Sequence, residues 1–355
     1  MDERYQKAIS FDAIYMAFGY ARKGSFWKDS IINFDQNRLT ESLKISRQLQ
    51  NGTYKLKGYY RFDVMEREKV RHIQSLHITD RVFQRSLCDN VLIPVMYPTF
   101  VYDNGASQKD KGTSFARDRL KEHLQEYDRK YGVEGDVLQV DISKYFDSLS
   151  HDYLKKRIDR QFSDIPEVQN TLYEIVDSFG DKGLGLGSQV CQILALDYLS
   201  PLDHFIKDFL RVKFFGRYMD DMYLIHHDKE FLRVCKDKIE EFLKGMELQM
   251  HPHKTQLHPI KNGINFLGYR FILTESGKVY AKVLPVSIKR IKRRIRKMCQ
   301  NGVSDEEIRK SERTWEGHVL QGDNYYTRQK LRKYMEQLLR DRRMRLDDST
   351  EVQLG

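Results

Sequence analysis

The sequence predicts an α+β fold with two or three packed subdomains, on three observations. Stretches with apolar residues at helical spacing are interleaved with short apolar runs suited to strands. Two pairs of those runs are separated by short turns, the mark of hairpins. A helical, strongly basic stretch closes the chain. At 355 residues, 40% of them hydrophobic and 32% charged, there is enough apolar material for a sizeable core and for more than one average domain. The seven prolines and the glycines are scattered, and neither a repeat nor a low-complexity tract marks a linker.

The elements follow in order. Leu39, Leu43, Ile45 and Leu49 predict a helix over 37–50, Tyr59 to Val64 a strand, and Asp80 to Leu92 a second helix. From Gly135 the pattern turns to a strand, Val137 to Ile142, and then to a helix opened by Ser150, with Leu154, Ile158 and Phe162 on one face. A glycine-rich stretch, GDKGLGLGSQ, leads to a helix from Gln189 to Leu199 that Pro201 helps to end. Apolar runs Val212 to Tyr218 and Met222 to His226 flank Asp220 and Asp221, which predicts a hairpin with acids at its tip. A helix over Lys229 to Lys244 and a second hairpin over Ile264 to Leu273 complete the central part.

A formal charge of +10 favours an anionic partner, because clustered Lys and Arg release counterions from a phosphate backbone. Cys88, Cys191, Cys235 and Cys299 lie far apart without CxxC or metal-ligand spacing, which suits buried thiols in a reducing cytosol. The N-terminus lacks an apolar leader core, and no apolar run is long enough to span a bilayer, so a soluble cytoplasmic protein with no membrane partner is expected. No HExxH or His/Cys cluster suggests zinc, and no GK[ST] follows the glycines. His226 and His227 read as a strand end.

The acids carry the chemical argument. Asp141 ends the apolar strand VLQVD, and Asp220 with Asp221 sits in a hairpin turn; acids in such a setting are costly unless a cation neutralises them. Nucleotidyl transfer needs a deprotonated 3′-hydroxyl and a neutralised pyrophosphate, which two divalent ions about 4 Å apart supply. Magnesium takes only one or two protein carboxylates besides water and phosphate, so three aspartates from two strands suffice.

With these residues in place the chain resembles the reverse transcriptases. YMDD, Tyr218 to Asp221, is similar to that family's catalytic hairpin, and DISKYFDSLSH, Asp141 to His151, to its first aspartate with the following aromatic pair. The resemblance implies a right-hand polymerase fold with fingers and N-terminal segment over 1–134, a palm of antiparallel sheet backed by helices over 135–274, and a helical basic thumb over 275–355. It implies Asp141, Asp220 and Asp221 as catalytic metal ligands with Ile142 as a further metal contact, two Mg²⁺ ions that Mn²⁺ can replace, and dNTPs as substrates. Phe146, five residues after Asp141, would reject a ribose 2′-hydroxyl by bulk. GLGLGSQVCQ resembles the glycine-rich approach to the palm helix against template and nucleotide, which places Gln189 in the dNTP site. Many relatives read QGxxxSP where this chain reads LGxxxCQ; the final Gln is the pattern of diversity-generating and defence-associated enzymes, with Cys191 in place of the usual Ser.

EREKVRHIQSLHITDRVFQ resembles the fingers strand and helix whose Lys and Arg hold phosphates, here Lys69 and Arg71. HPHKTQL puts Lys254 near the triphosphate as a proton donor to pyrophosphate, with His251 where Asn is usual, and INFLGYRF resembles the primer-gripping hairpin with Gly268 at its turn. SQKDKGTSF carries Lys109 and Lys111 along the template. In SIKRIKRRIRKM, Ile288, Ile291 and Ile295 share one helical face while Lys289 and Arg293 belong to a basic ridge that can hold a duplex by its backbone.

The expected activity is RNA-directed DNA synthesis in a bacterial retroelement or antiphage defence system, on a structured noncoding RNA template, with an accessory protein or a second copy as further partners. A diversity-generating enzyme is the first alternative, a catalytically idle RNA-binding scaffold the alternative of another class. An RNA-dependent RNA polymerase is disfavoured by Phe146, a terminal transferase would need no template, and no RNase H or HNH endonuclease domain is expected beyond the thumb.

Overall fold

The structure, a computed structural model, describes residues 2–66 and 69–354, with their side chains apart from those of 66, 69 and 345–354. The first helices are α1 (Glu3–Ala8), α2 (Phe11–Ala21), α3 (Asp29–Gln36) and α4 (Arg38–Gln50), followed by β1 (Tyr59–Glu66), β2 (Lys69–Leu76), α5 (Ile78–Leu87), α6 (Ile93–Met96) and α7 (Thr113–Tyr131). Next come β3 (Asp136–Val140), α8 (Tyr145–Ser148), α9 (His151–Phe162), α10 (Pro166–Asp177), α11 (Gln189–Tyr198), α12 (Ser200–His204), β4 (Phe214–Tyr218), β5 (Asp221–His226) and α13 (Lys229–Gly245). The chain continues with β6 (Gln256–Pro259), β7 (Ile264–Phe266), β8 (Tyr269–Leu273), β9 (Val279–Val283), α14 (Pro285–Gln300), α15 (Asp305–Val319) and α16 (Tyr325–Leu354). The strands form sheets of order β1-β2, β4-β5-β3-β6 and β7-β8-β9.

Two compact units arise: Met1–Gly112 with Gln139–Leu224 and Arg233–Gln256, and Thr113–Leu138 with Ile225–Leu232 and Leu257–Gly355. In the first, the N-terminal helices close a core around α5, where Phe18 of α2 stacks on Phe34 of α3 with centroids 4.6 Å apart. Buried hydroxyls there are satisfied, Ser46 Oγ donating to the Ile9 carbonyl at 2.7 Å and Ser86 Oγ to that of Ala8 at 2.6 Å. The helix expected over 80–92 is α5 continued by a π-helical turn, Cys88–Leu92. Ser150 caps α9 as expected, its Oγ accepting from the Tyr153 N–H, and Leu154, Ile158 and Phe162 are buried. The helix expected over 189–199 is α11, capped at Leu199, and Pro201 stands two residues past that cap in the first turn of α12, where its missing N–H costs nothing.

The glycine-rich stretch brings backbone segments close together. A Cβ on Gly183 would lie 3.1 Å from the Asp147 Cα, and one on Gly187 (φ 127°) 2.9 Å from the Gln74 carbonyl oxygen. The Gln74 N–H donates to the Leu186 carbonyl at 3.1 Å. These glycines therefore let segments of the chain's own backbone meet, Asp147 on one side and β2 on the other, rather than serving a ligand alone.

In the second unit β7 turns into β8 through Leu267 (φ 47°) and Gly268 (φ 88°), the two positive φ values that a type I′ hairpin needs. The strand β9 was not expected; it pairs antiparallel with β8, Tyr269 opposite Val283. Asn324 ties this sheet to the following helices, accepting from the Val283 N–H at 2.8 Å and donating to the Val319 carbonyl at 3.2 Å. Ile291 and Ile295 of α14 join Ile308, Leu331, Met335 and Leu339 in one apolar cluster. Among the described residues no helix is long and apolar enough to cross a membrane, and all four cysteines are free thiols.

Candidate active site

The site begins with a hairpin. Two residues, Met219 and Asp220, join β4 to β5, so these strands run antiparallel. Phe214 to Arg217 and Met222 to Ile225 are buried. Gly216 permits the pairing: a Cβ there would lie 2.4 Å from the Tyr223 hydroxyl, whose ring crosses that position. Met219 has φ 55°, a conformation that a non-glycine residue holds only when its surroundings impose it.

Because β5 lies next to β3, the start of β5 meets the end of β3, and the residue that follows β3 is Asp141. The Asp141 carboxyl comes close enough to that of Asp221 to act on its charge. Burial first, then repulsion from Asp220 and Asp141, pushes the Asp221 carboxyl up to about 7, against a smaller opposing pull from Lys254. Asp220 is also raised, chiefly by burial, although its own backbone N–H bonds its carboxylate and so favours the charged form. The site has more negative charge than its surroundings neutralise.

Lys254 supplies part of the missing charge. Its Nζ lies 2.8 Å from each Asp141 oxygen. The segment before it is laid along Asp141 by backbone bonds: the His251 N–H donates to the Asp141 carbonyl at 2.7 Å, and the Ser143 N–H to that of Gln249 at 2.9 Å. Asp141, Asp220, Asp221 and Lys254 are thus brought together from three separate stretches of chain. Among the described residues no group of three or more His, Cys, Asp or Glu is arranged to hold a metal ion as the side chains stand; Asp141 has both oxygens on Lys254.

Other expected site residues sit as follows. Ile142 is buried and bridges Met250, so only its carbonyl could face an ion. Phe146 is half-buried, edge-on to Tyr145, and its carbonyl accepts from the Leu184 N–H at 2.8 Å. Gln189 accepts from Arg85 at 3.1 Å in a cleft of about 320 Å³ shared with Arg81, Gln84 and Gln192. Arg71 is exposed on β2 opposite Val64; Lys69 is on the same strand, its side chain outside the described residues. Lys109 is exposed, whereas Lys111 donates to the carbonyls of Tyr102 at 2.8 Å and Asn104 at 3.2 Å, an attachment to the chain itself. Gly268 occupies its hairpin turn, and Lys289 and Arg293 are exposed on α14.

Sequence reading missed Arg217 and Asp203, an ion pair with no exposed side-chain surface on either partner. Arg217 Nε lies 2.6 Å from Asp203 Oδ1, and Nη1 3.0 Å from the Met219 carbonyl. Only the position of Arg217 just before YMDD signalled it; its partner, fourteen residues back, carries no motif.

Comparison with known proteins gives this arrangement a context. The family model described as "Reverse transcriptase (RNA-dependent DNA polymerase)" matches residues 55–271, more than half of the chain. No curated protein matches in sequence. Apo telomerase from Candida tropicalis truncated from its C-terminal domain is similar with a TM-score of 0.50 at 14% identity, over 63% of this chain and 55% of that one. Telomerase from the same organism in complex with a TWJ fragment of telomeric RNA also gives 0.50 at 14% identity, over 79% of this chain and 56% of that one. The chain therefore spans just over half the length of these structures, and the likeness establishes a right-hand polymerase fold built of mixed helix and sheet. On the family match, with Asp141 meeting the YMDD hairpin, this chain belongs to the reverse transcriptase (RNA-dependent DNA polymerase) family.

Proposed function

We propose that the protein synthesises DNA from dNTPs on an RNA template, with the acids of β3 and the β4–β5 hairpin as its catalytic centre. The observation that carries this reading is the convergence of Asp141, at the end of β3, with Asp220 and Asp221 of the adjoining hairpin, where Lys254 Nζ lies 2.8 Å from both Asp141 oxygens. The donor set suits a hard divalent cation: carboxylate oxygens in surplus, with the Asp220 and Asp221 carboxyls raised first by burial and then by their acidic neighbours. Asp141, Asp220 and Asp221, with the Ile142 carbonyl, would hold Mg²⁺, and Mn²⁺ in its place, as a pair of ions. Bound there, the ions would activate the primer hydroxyl and neutralise pyrophosphate.

The chain's own residues do the rest. Lys254 Nζ, held at Asp141, is the proton source for the departing pyrophosphate. Arg71 and Lys69 take the β and γ phosphates, Arg71 by its planar fork. Phe146 closes the sugar pocket against a 2′-hydroxyl, and Gln189 borders the incoming nucleotide. The exposed cations of α14 hold the duplex by its backbone, Lys109 follows the template, and the β7–β8 turn at Gly268 grips the primer end. Fingers, palm and thumb are assigned to 1–134, 135–274 and 275–355. A noncoding RNA template in bacterial antiphage defence is the finer reading, supported by the Gln192 that ends the glycine-rich motif; a diversity-generating role shares that residue.

Primer extension decides the reading. DNA product is expected with dNTPs on an RNA template and not with NTPs or without template, and Asp220→Ala should lose synthesis while RNA binding remains. Template-independent addition, or equal use of NTPs, would refute it.

A further inference from the structure

We propose that Arg217 is a positioning residue for catalysis: locked by Asp203, its guanidinium fixes the peptide between Met219 and Asp220 and thereby presents Asp220 to the site. The inference rests on the polymerase reading above.

Four hydrogen bonds define the arrangement. Nε and Nη2 of Arg217 grip the two carboxylate oxygens of Asp203 side by side, Nη2 also donates to the Leu196 carbonyl at 3.2 Å, and Nη1 donates to the Met219 carbonyl at 3.0 Å. A guanidinium has five N–H donors in a rigid plane, so three acceptors at fixed places leave it one orientation. Both backbone ends of Arg217 are held as well: its N–H donates to the Asp103 carbonyl at 3.1 Å, and its carbonyl accepts from the Gly105 N–H at 2.9 Å. The guanidinium therefore stands on fixed ground and reaches forward over the turn.

What it reaches is one face of a peptide unit whose other face serves the site. The carbonyl of that unit belongs to Met219 and is held by Arg217, and its N–H belongs to Asp220, so the orientation of the unit sets the backbone from which the Asp220 side chain departs. Rotating the unit would break the bond to Arg217 and re-aim the Asp220 side chain together. Met219, at φ 55°, is the residue on which such a rotation would turn, and relaxation is the default where nothing imposes the strain. Arg217 is the imposing group. A fully buried ion pair is a poor way to gain stability, since desolvating both charges offsets most of their attraction. Its place directly beneath the catalytic turn gives it a geometric purpose instead.

The molecule holds its own control. Arg157 of α9 grips Asp197 of α11 with Nε–Oδ2 at 2.9 Å and Nη2–Oδ1 at 2.7 Å, nearly as buried and without contact to the turn. The experiment compares Arg217→Lys and Asp203→Asn with Arg157→Lys in the full chain, measuring the thermal melt, kcat and KM for a single dNTP, primer–template Kd, and backbone hydrogen exchange at 218–222. Arg217→Lys and Asp203→Asn should lose about 100-fold in kcat, the cost of a small misplacement at the reacting centre, with KM and Kd within about threefold. Exchange at 218–222 should rise in both. Arg157→Lys should keep kcat within about threefold at a comparable melt. Equal kcat losses at the two pairs, an unchanged kcat in Arg217→Lys, or failure of both Arg217→Lys and Asp203→Asn to fold while Arg157→Lys folds would overturn the proposal. An inactive wild type would instead sink the polymerase reading, and the exchange measurement would still judge the turn.

Discussion

The acidic β4–β5 hairpin and the basic helix α14 use charge in opposite ways. At the hairpin, Asp141, Asp220 and Asp221 are buried or half-buried, short of counter-charge, and fixed by backbone bonds and one ammonium group. On α14, Lys289 and Arg293 are exposed above a small apolar cluster through Ile291 and Ile295. Coulomb energies grow as the surroundings dry out, so the first arrangement is strong, specific and intolerant of change. The second is screened, nearly additive and tolerant. On the proposed function, the first would act on a single bond and the second would hold a duplex without reading its sequence.

The largest expected effect falls on the dry side. Asp221→Asn should abolish incorporation in single-turnover assays and yet raise the melting temperature of the metal-free protein, because it removes a repelled charge. Its pH dependence has a definite sign. With its carboxyl raised to about 7 from the usual value near 4, Asp221 stabilises the fold fully only below that lower value and loses this contribution as pH rises through 7. Melts at about pH 5 and pH 8 should therefore differ more in the wild type than in Asp221→Asn, and a variant with the wild-type difference would break the contrast.

Next is Lys254→Met, which leaves Asp141 without its ammonium partner; single-nucleotide turnover should fall about 10²- to 10⁴-fold with primer–template binding unchanged. An intermediate effect is expected beneath the basic ridge. Ile295→Ala empties a fully buried position and should cost about 2–5 kcal/mol by denaturant titration. The smallest effects belong to Lys289→Ala and Arg293→Ala. Each should weaken duplex binding modestly, whatever the sequence, and lower the slope of log K against log salt by about one. A loss that ignored salt would show that these side chains do more than meet phosphate.

The contrast also explains what was legible in the sequence. The hairpin's apolar runs, the Ser150 cap and the amphipathic α14 are local patterns of period two or 3.6, and they appear in the structure where periodicity put them. Short, mixed elements escaped: β9 is five residues with a buried–exposed pattern too brief to register, and α1 to α3 were unread because their apolar residues also point outward, as Met16 and Ile32 do. Asp141, Asp220 and Asp221 could be named because their motifs are contiguous. The Arg217–Asp203 pair could not, since nothing near Asp203 in the chain says that an arginine will enter its pocket. The glycine-rich stretch was legible as a place of close approach; that Gln74 of β2 is part of what it admits was not.

That last contact anchors β2. The strand is pinned at Gln74 by the glycine-rich stretch, and Arg71 lies three residues farther out, about 10 Å along an extended backbone. A side chain at position 187 would press on the Gln74 carbonyl and displace the strand that carries that guanidinium, so the glycine-rich stretch fixes the place of a distant cation as well as a close contact.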